Sequence, residues 1–160
     1  MKKLLLFLMA IFAFGLQNVS AQDAIKIVTN HPDFNIKVKR CAASGKTVVI
    51  DLVLTNLGTN DVEGIDVFGG AWDRSEAYDD EGNIYKDIRV KVANKSQYDG
   101  TDTGPFNIPT GVPMRVSIQI NNVSTSAESI ARLKLIVDCR QWDINGNKPV
   151  KFSNIPISRQ

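Results

Sequence analysis

The amino-acid sequence predicts an all-β fold, arranged as a two-sheet β-sandwich with mostly antiparallel strands. Apolar and polar residues alternate in short runs along the whole chain, turn-forming residues separate the runs, and no segment has the periodicity of a long helix. Several short strands joined by such turns are typical of a sandwich or a barrel. Residues 22–160 are long enough for a single domain with its own core.

Five runs show the alternation most clearly, and each presents one apolar face. They are Phe34, Ile36 and Val38; Val48, Ile50, Leu52 and Leu54; Ile88, Val90 and Val92; Met114, Val116, Ile118 and Ile120; and Leu133, Leu135, Val137 and Cys139. Turn signals separate them at Ser44-Gly45, Asn56-Leu57-Gly58, Gly69-Gly70, Glu81-Gly82-Asn83, Asp99-Gly100, Pro109-Thr110-Gly111 and Asn145-Gly146. The one helical candidate is a single turn within Ser124 to Ile130, capped by Ser126.

Residues 1–21 have the parts of a cleaved secretory signal peptide. Lys2 and Lys3 make a basic start, Leu4 to Leu16 form an apolar run, and small residues precede a cleavage point after Ala21. The run of about 13 apolar residues is shorter than the roughly 20 that cross a bilayer, so we expect no integral membrane span in the mature protein. No cysteine follows the cleavage point. We therefore expect an exported protein, periplasmic or secreted, that is not lipid-anchored.

The formal net charge of +2 belongs to the signal segment. Without Lys2 and Lys3, the 19 basic residues become 17, which equals the number of acidic residues. The basic residues also alternate singly with acidic and apolar ones, whereas nucleic-acid binding needs a dense Lys/Arg surface. We expect no nucleic-acid partner.

Cys41 and Cys139 are the only cysteines, and disulfides persist in the compartments that exported chains reach. We expect a bridge between them, with two buried free thiols as the alternative. Cys139 is in phase with an apolar face, but Cys41 is out of phase with Phe34, Ile36 and Val38. The bridge therefore requires a bulge or a change of sheet near Arg40.

No set of catalytic or cofactor-binding residues stands out. His31 is the sole histidine, which argues against a multi-histidine zinc site and favours a solvated loop residue. Gly69-Gly70 lacks the residues that complete a phosphate-binding loop. We expect no catalytic site, no cofactor and no built metal site.

Calcium is the strongest metal alternative, because acidic turns supply the oxygen ligands that it prefers. The weak candidates are Asp79, Asp80, Asp99 and Asp102. The segment 143–147 begins like a calcium loop, but Asn154 stands where the closing glutamate belongs, so a hairpin turn explains it better.

Aromatic residues near turns are the remaining candidates for binding. Trp72, Tyr78 and Tyr98 can form a sugar-stacking or protein-contact surface, although rings at such positions also close the ends of a sandwich. Tyr85 and Trp142 lie in similar places, and closure of the sandwich is the favoured role for Trp142.

Three fragments resemble the small extracytoplasmic immunoglobulin-like domains found in bacterial lipoproteins and secreted antigens, akin to the immunoprotective extracellular antigen superfamily. They are Val49 to Gly58, Asp79 to Tyr85 and Phe106 to Gly111, and the resemblance covers about Ile25 to Cys139. It implies an immunoglobulin-like sandwich and transfers no catalytic residue. The missing lipid-bearing cysteine departs from many of these domains.

We expect a non-catalytic exported domain that binds a protein or a glycan through its surface. One alternative is a calcium-stabilised or glycan-hydrolysing domain that uses Asp66, Asp73, Asp79, Asp80, Asp99 and Asp102. Another is an accessory or inhibitor subunit that pairs with its partner through an edge strand.

Overall fold

The computed structural model describes residues 24–29, 31, 33–71, 74–96, 103–139 and 148–159, and confirms the all-β, two-sheet fold. The predicted signal segment lies outside these residues. The described strands are β1 (Lys26–Val28), β2 (Phe34–Ser44), β3 (Thr47–Asn56), β4 (Val62–Phe68), β5 (Glu76–Asp79), β6 (Ile84–Tyr85), β7 (Ile88–Val92), β8 (Lys95–Ser96), β9 (Phe106–Ile108), β10 (Met114–Ile120), β11 (Ser129–Cys139), β12 (Lys148–Pro156) and β13 (Ser158–Arg159). Among the described residues, no helix has the length and apolar character needed to cross a membrane.

The strands form two sheets that enclose one core. The first sheet has the order β1-β12-β11-β4-β9, and β5 also pairs with β11 and carries β6. The second sheet has the order β13-β2-β3-β10-β7-β8. The strand pairs of the described chain are antiparallel except for β13 with β2, which is parallel.

The predicted alternation determines which side chains enter the core. In β3, Ile50 and Leu52 are buried while Val49 and Asp51 face outward. From the first sheet, Leu133 and Phe152 pack into the same cluster. The apolar faces of both sheets therefore meet, and burial of these faces provides the main stabilisation of the sandwich.

The irregularity expected near Arg40 is present in β2. The register with β3 shifts between Val38 and Arg40, which leaves Lys39 as the extra residue of a bulge. After the bulge, Cys41 faces the core and is only 6% exposed. One inserted residue thus explains why Cys41 is out of phase with the apolar residues before it.

The helical turn predicted within Ser124 to Ile130 is wrong. Residues 125 and 126 form a bend, the N–H of Ala127 donates to the carbonyl of Ser124 at 3.3 Å, and β11 begins at Ser129. The Asp80 carboxylate accepts hydrogen bonds from the backbone N–H groups of Glu128 and Ser129 at 3.1 and 3.3 Å. These bonds hold the backbone at the entry to the strand, so the helical propensity of a few residues does not decide its conformation.

The chain between β4 and β5 leaves the first sheet and reaches the second. Its two ends are fixed by Ser75, whose hydroxyl donates to the Phe68 carbonyl at 2.6 Å and accepts from the Ile136 N–H at 2.9 Å. At its far side, the N–H of Gly70 donates to the carbonyl of Ile88 in β7 at 3.0 Å. This segment between β4 and β5, which we call the excursion, ties the two sheets together.

The strand positions do not bring together Cys41 and Cys139, the two cysteines of the predicted bridge. Cys41 is a buried free thiol beside Ile155, and Ile155 pairs with Ile130 near the start of β11. Cys139 ends β11, nine residues beyond Ile130, a separation of about 30 Å along an extended strand. A disulfide requires Cα atoms about 4.4–6.8 Å apart, so the described arrangement does not join these cysteines.

The thiol of Cys41 should therefore be inert in the folded protein. Burial raises its pKa to about 12, although the nearby Arg159 opposes the shift. Since the thiolate is the nucleophile, we expect iodoacetamide at pH 8 to leave Cys41 unmodified in the native protein. After unfolding without reductant, intact mass should show two alkyl groups on the chain. Two groups appearing only after reduction would instead demonstrate a disulfide.

Candidate functional site

The acidic turn around Asp79, which we call the corner, is held together by hydrogen bonds to the Asp79 carboxylate. Oδ1 of Asp79 accepts from the N–H groups of Glu81 and Asn83 at 3.0 and 2.8 Å, and Oδ2 accepts from Asn83 Nδ2 at 2.9 Å and Tyr85 OH at 2.6 Å. Tyr85 OH in turn accepts from the N–H of Ser124 at 3.0 Å. Asp79 is 2% exposed, and four protein donors already satisfy the two oxygens of its carboxylate.

These bonds also determine the ionisation of the corner. Burial by itself would raise the pKa of Asp79, but the hydrogen bonds from Tyr85, Asn83 and the backbone N–H of Glu81 together lower it. Burial, with the hydrogen bond to Asp79, raises the pKa of Tyr85. The pair therefore consists of a carboxylate and a neutral phenol.

The calcium candidates do not converge in the part of the chain that the structure describes. The Asp79 carboxylate accepts hydrogen bonds within the corner, and the Asp80 carboxylate accepts from the backbone N–H groups of Glu128 and Ser129. Asp99 and Asp102 lie outside the described residues. Within the described ranges, no three His, Cys, Asp or Glu side chains come together in a group that would hold a metal ion.

Tyr78, one of the predicted binding aromatics, lies on the outer face of the first sheet. It stands opposite Arg132 in β11, which is opposite Ser153 in β12, which is opposite Lys26 in β1. Alternate residues of these strands, such as Ala77 and Leu133, point into the core. One row across four strands, about 14 Å wide, therefore combines an aromatic ring, a hydroxyl and two cations.

A second row lies about 7 Å further along the same strands. It consists of Glu76, Lys134, Lys151 and the exposed Val28. Lys134 and Glu76 approach each other at 3.7 Å and are both partly buried, so they largely neutralise one another. We call the surface formed by Tyr78, Arg132, Ser153, Lys26 and Lys151 the basic face.

The basic face carries cations that no other described residue neutralises. Arg132, Lys26 and Lys151 are exposed, and none of them forms an ion pair or a side-chain hydrogen bond with another described residue. Tyr78 is half-buried, so part of its ring is open to solvent. Cations beside an accessible aromatic ring are suited to a ligand that carries both negative charge and ring faces.

Beyond these rows, the same outer surface is covered. Phe68 and Ile136 face outward as a cross-strand pair but are 8% and 7% exposed, and the Arg74 guanidinium lies 3.9 Å from the Phe68 ring centroid. Asp66 and Asp138 form the next cross-strand pair, and Asp66 is buried. Burial of Phe68, Ile136 and Asp66 thus limits the accessible surface on this side of the basic face.

Sequence reasoning identified Tyr78 but missed its cationic neighbours. Basic residues that alternate singly along a strand all point to one side, and pairing of four strands then gathers them on one surface. The predicted partners of Tyr78, Trp72 and Tyr98, lie outside the described residues. The sequence signal that could have revealed these cationic neighbours is the alternation at Arg132 and Lys134.

Comparisons with known proteins do not assign the chain to a family. No protein-family model and no curated protein matches it. Among solved structures, it is similar to a family 123 glycoside hydrolase from Clostridium perfringens that hydrolyses glycolipid glycans, with 8% identity and a TM-score of 0.42. That match covers 79% of this chain and 27% of the hydrolase.

A second similar structure is AvmM, which catalyses macrocyclization in alchivemycin A biosynthesis. The match has 9% identity and a TM-score of 0.43, and covers 81% of this chain and 91% of AvmM. The resemblance to extracytoplasmic immunoglobulin-like domains stays a prediction.

Proposed function

We propose that the protein is a non-catalytic, exported binding module that recognises an acidic glycan on the basic face. The observation that carries this proposal is the row formed by Tyr78, Arg132, Ser153 and Lys26. A sugar ring stacks on the open part of the Tyr78 ring, while Arg132 and Lys26 bind its carboxylate or sulfate groups.

The character of the surface favours a glycan over a protein partner. Protein interfaces depend on large apolar or aromatic anchors that become fully desolvated. The exposed large apolar side chains of the described chain are Val28, Leu57, Ile84 and Val112, and only Val28 lies beside the basic face. A flat polar surface with unpaired cations suits a hydrated anionic chain better.

Two features of the described chain support a non-catalytic role. The carboxylate of Asp79, the best buried candidate for acid–base chemistry, is occupied by four internal hydrogen bonds. The edge of β2 carries the exposed side chains Lys37 and Lys39, and such charges discourage the addition of a strand from a partner. These features argue against acid–base chemistry at Asp79 and against strand addition at β2.

Calorimetric titration with oligogalacturonate tests this proposal. We expect binding that weakens with added salt, because exposed cations are screened, and no binding of the methyl-esterified oligomer, which lacks the charge. Arg132→Gln and Tyr78→Ala should each weaken binding by about tenfold, the size typical of a central contact.

The matched control is Arg115→Gln, which removes an exposed arginine from β10 on the opposite sheet. It should leave the affinity for oligogalacturonate unchanged. If Arg132→Gln and Arg115→Gln lose equal affinity, binding depends on the overall charge of the protein. That result would overturn the proposed site. Release of shorter oligomers by the purified protein would show that it is an enzyme.

A further inference from the structure

The interior of the sandwich contains an apolar cavity of about 120 Å³ that is separate from the basic face. Its walls are apolar side chains from both sheets, among them Leu52, Val67, Val116, Leu135 and Phe152. Among the described residues, the polar ones that line it are Thr29 and His31, which lie on the segment that crosses from β1 to β2. An apolar cavity of about 150 Å³ stays dry and binds a molecule the size of benzene, so this one has room for a ligand rather than for ordered water.

The size of the cavity limits the ligand that it can hold. Its lining residues come from β12, β11, β4 and β9 in the first sheet, which spans three strand spacings, or about 14 Å. A volume of about 120 Å³ bounded by these strands admits only a small molecule. A short alkyl chain is of this size, and the walls that it would meet are apolar apart from Thr29 and His31.

The entrance lies at an open side of the sandwich. On the second sheet, β13 pairs only with Ala42 and Ala43, so the first half of β2 has no described strand on its outer side. On the first sheet, β1 pairs with residues 151–153 of β12. Pro149, which lines the cavity, lies beyond the end of this pairing. The half-buried Thr29, His31 and Pro149 thus frame the entrance between the two sheets.

The groups at the entrance indicate an uncharged head group. Burial lowers the pKa of His31, although Asp33 opposes the shift, so the imidazole is neutral at pH 7. Its Nδ1 accepts from the N–H of Asp33 at 3.3 Å, and the hydroxyl of Thr29 accepts from the N–H of His31 at 3.2 Å. Among the described side chains that line the cavity, none is a lysine, an arginine or a carboxylate.

We propose that this cavity is a binding site for a short alkyl chain with an uncharged polar head, held between the two sheets. The site lies apart from the basic face, and its test is independent of glycan binding. 1-Hexanol is the probe, and hexanoate is its charged counterpart. We expect 1-hexanol to bind the purified protein in calorimetry and to raise its melting temperature, because it binds the folded state alone.

A variant that fills part of the cavity provides the decisive test. Val116→Leu adds one methylene to a lining position, so it should fold normally and weaken 1-hexanol binding by about tenfold or more. Val90→Leu is the matched control, since Val90 is 2% exposed and does not line the cavity. That variant should lose thermal stability through overpacking and keep its affinity for 1-hexanol within about twofold.

Three results would overturn the proposal. They are no binding of 1-hexanol, equal affinity of wild type and Val116→Leu, and hexanoate binding at pH 7 as tightly as 1-hexanol. The last result would show that the entrance accepts a charge and that the head group has been assigned wrongly.

Discussion

Gly70→Ala is expected to destabilise the protein by about 4 kcal/mol or more, which places it among the most severe single substitutions. A Cβ atom built on Gly70 would lie 1.4 Å from the carbonyl oxygen and 2.4 Å from the carbonyl carbon of Lys86. Both are backbone atoms, so no side chain can move aside. Relief requires the excursion to leave β7, which breaks the Gly70–Ile88 hydrogen bond between the sheets.

Urea unfolding monitored by circular dichroism measures this loss, with Gly45→Ala as the control. Gly45 has a φ of +58°, and nothing lies within 4 Å of the position that a Cβ atom would occupy there. Alanine at this position meets only the strain of the left-handed conformation, about 1–2 kcal/mol. A Gly70→Ala variant no less stable than Gly45→Ala would refute the close approach of the excursion to Lys86.

Asp79→Asn is expected to lower the free energy of unfolding by about 3 kcal/mol, because it removes a buried acceptor from a complete network. An amide has only one acceptor oxygen, so its NH₂ group would face a donor, Asn83 Nδ2 or Tyr85 OH. A loss of this size corresponds to a fall in melting temperature of about 10 °C. Asp80→Asn is the control, since its exposed side chain can still accept from Glu128 and Ser129, and it should cost less than about 1 kcal/mol.

The same network predicts how stability depends on pH. Because the pKa of Asp79 is lower in the folded protein than in the unfolded chain, its contribution is complete above the ordinary aspartate pKa. The contribution is lost as the pH falls through the lowered pKa of the folded state. Thermal melts between pH 2 and pH 6 should therefore converge for wild type and Asp79→Asn at the acid end. A constant difference over that range would contradict the assigned ionisation.

The alternation in the sequence predicted the core strands for a physical reason. β3, β7 and β10 each bury one face and expose the other, so a period of two is visible in their residues. β4 lacked this signal because the excursion covers its outer side and leaves Ile65, Asp66, Val67 and Phe68 all buried. β12 contains Pro149 and Pro156, which argue against a strand when only the sequence is considered.

The candidate site was predictable only in part. A single strand reveals that Arg132 and Lys134 share a side, but Lys26 and Lys151 join them only through the pairing of β1 and β12 with β11. The pairing of β1 with β12 connects residues more than a hundred positions apart, which no local pattern contains. The same limit applies to the predicted bridge, since no local pattern shows that Cys41 and Cys139 occupy distant levels of the two sheets.

An NMR titration with oligogalacturonate tests most directly whether the basic face is the binding surface. Glycan binding there should shift the backbone amides of Tyr78, Arg132, Lys151 and Ser153 progressively, and leave those around Arg115 on the opposite sheet unchanged. Shifts centred on Arg115, or the absence of shifts at low salt, would contradict the account.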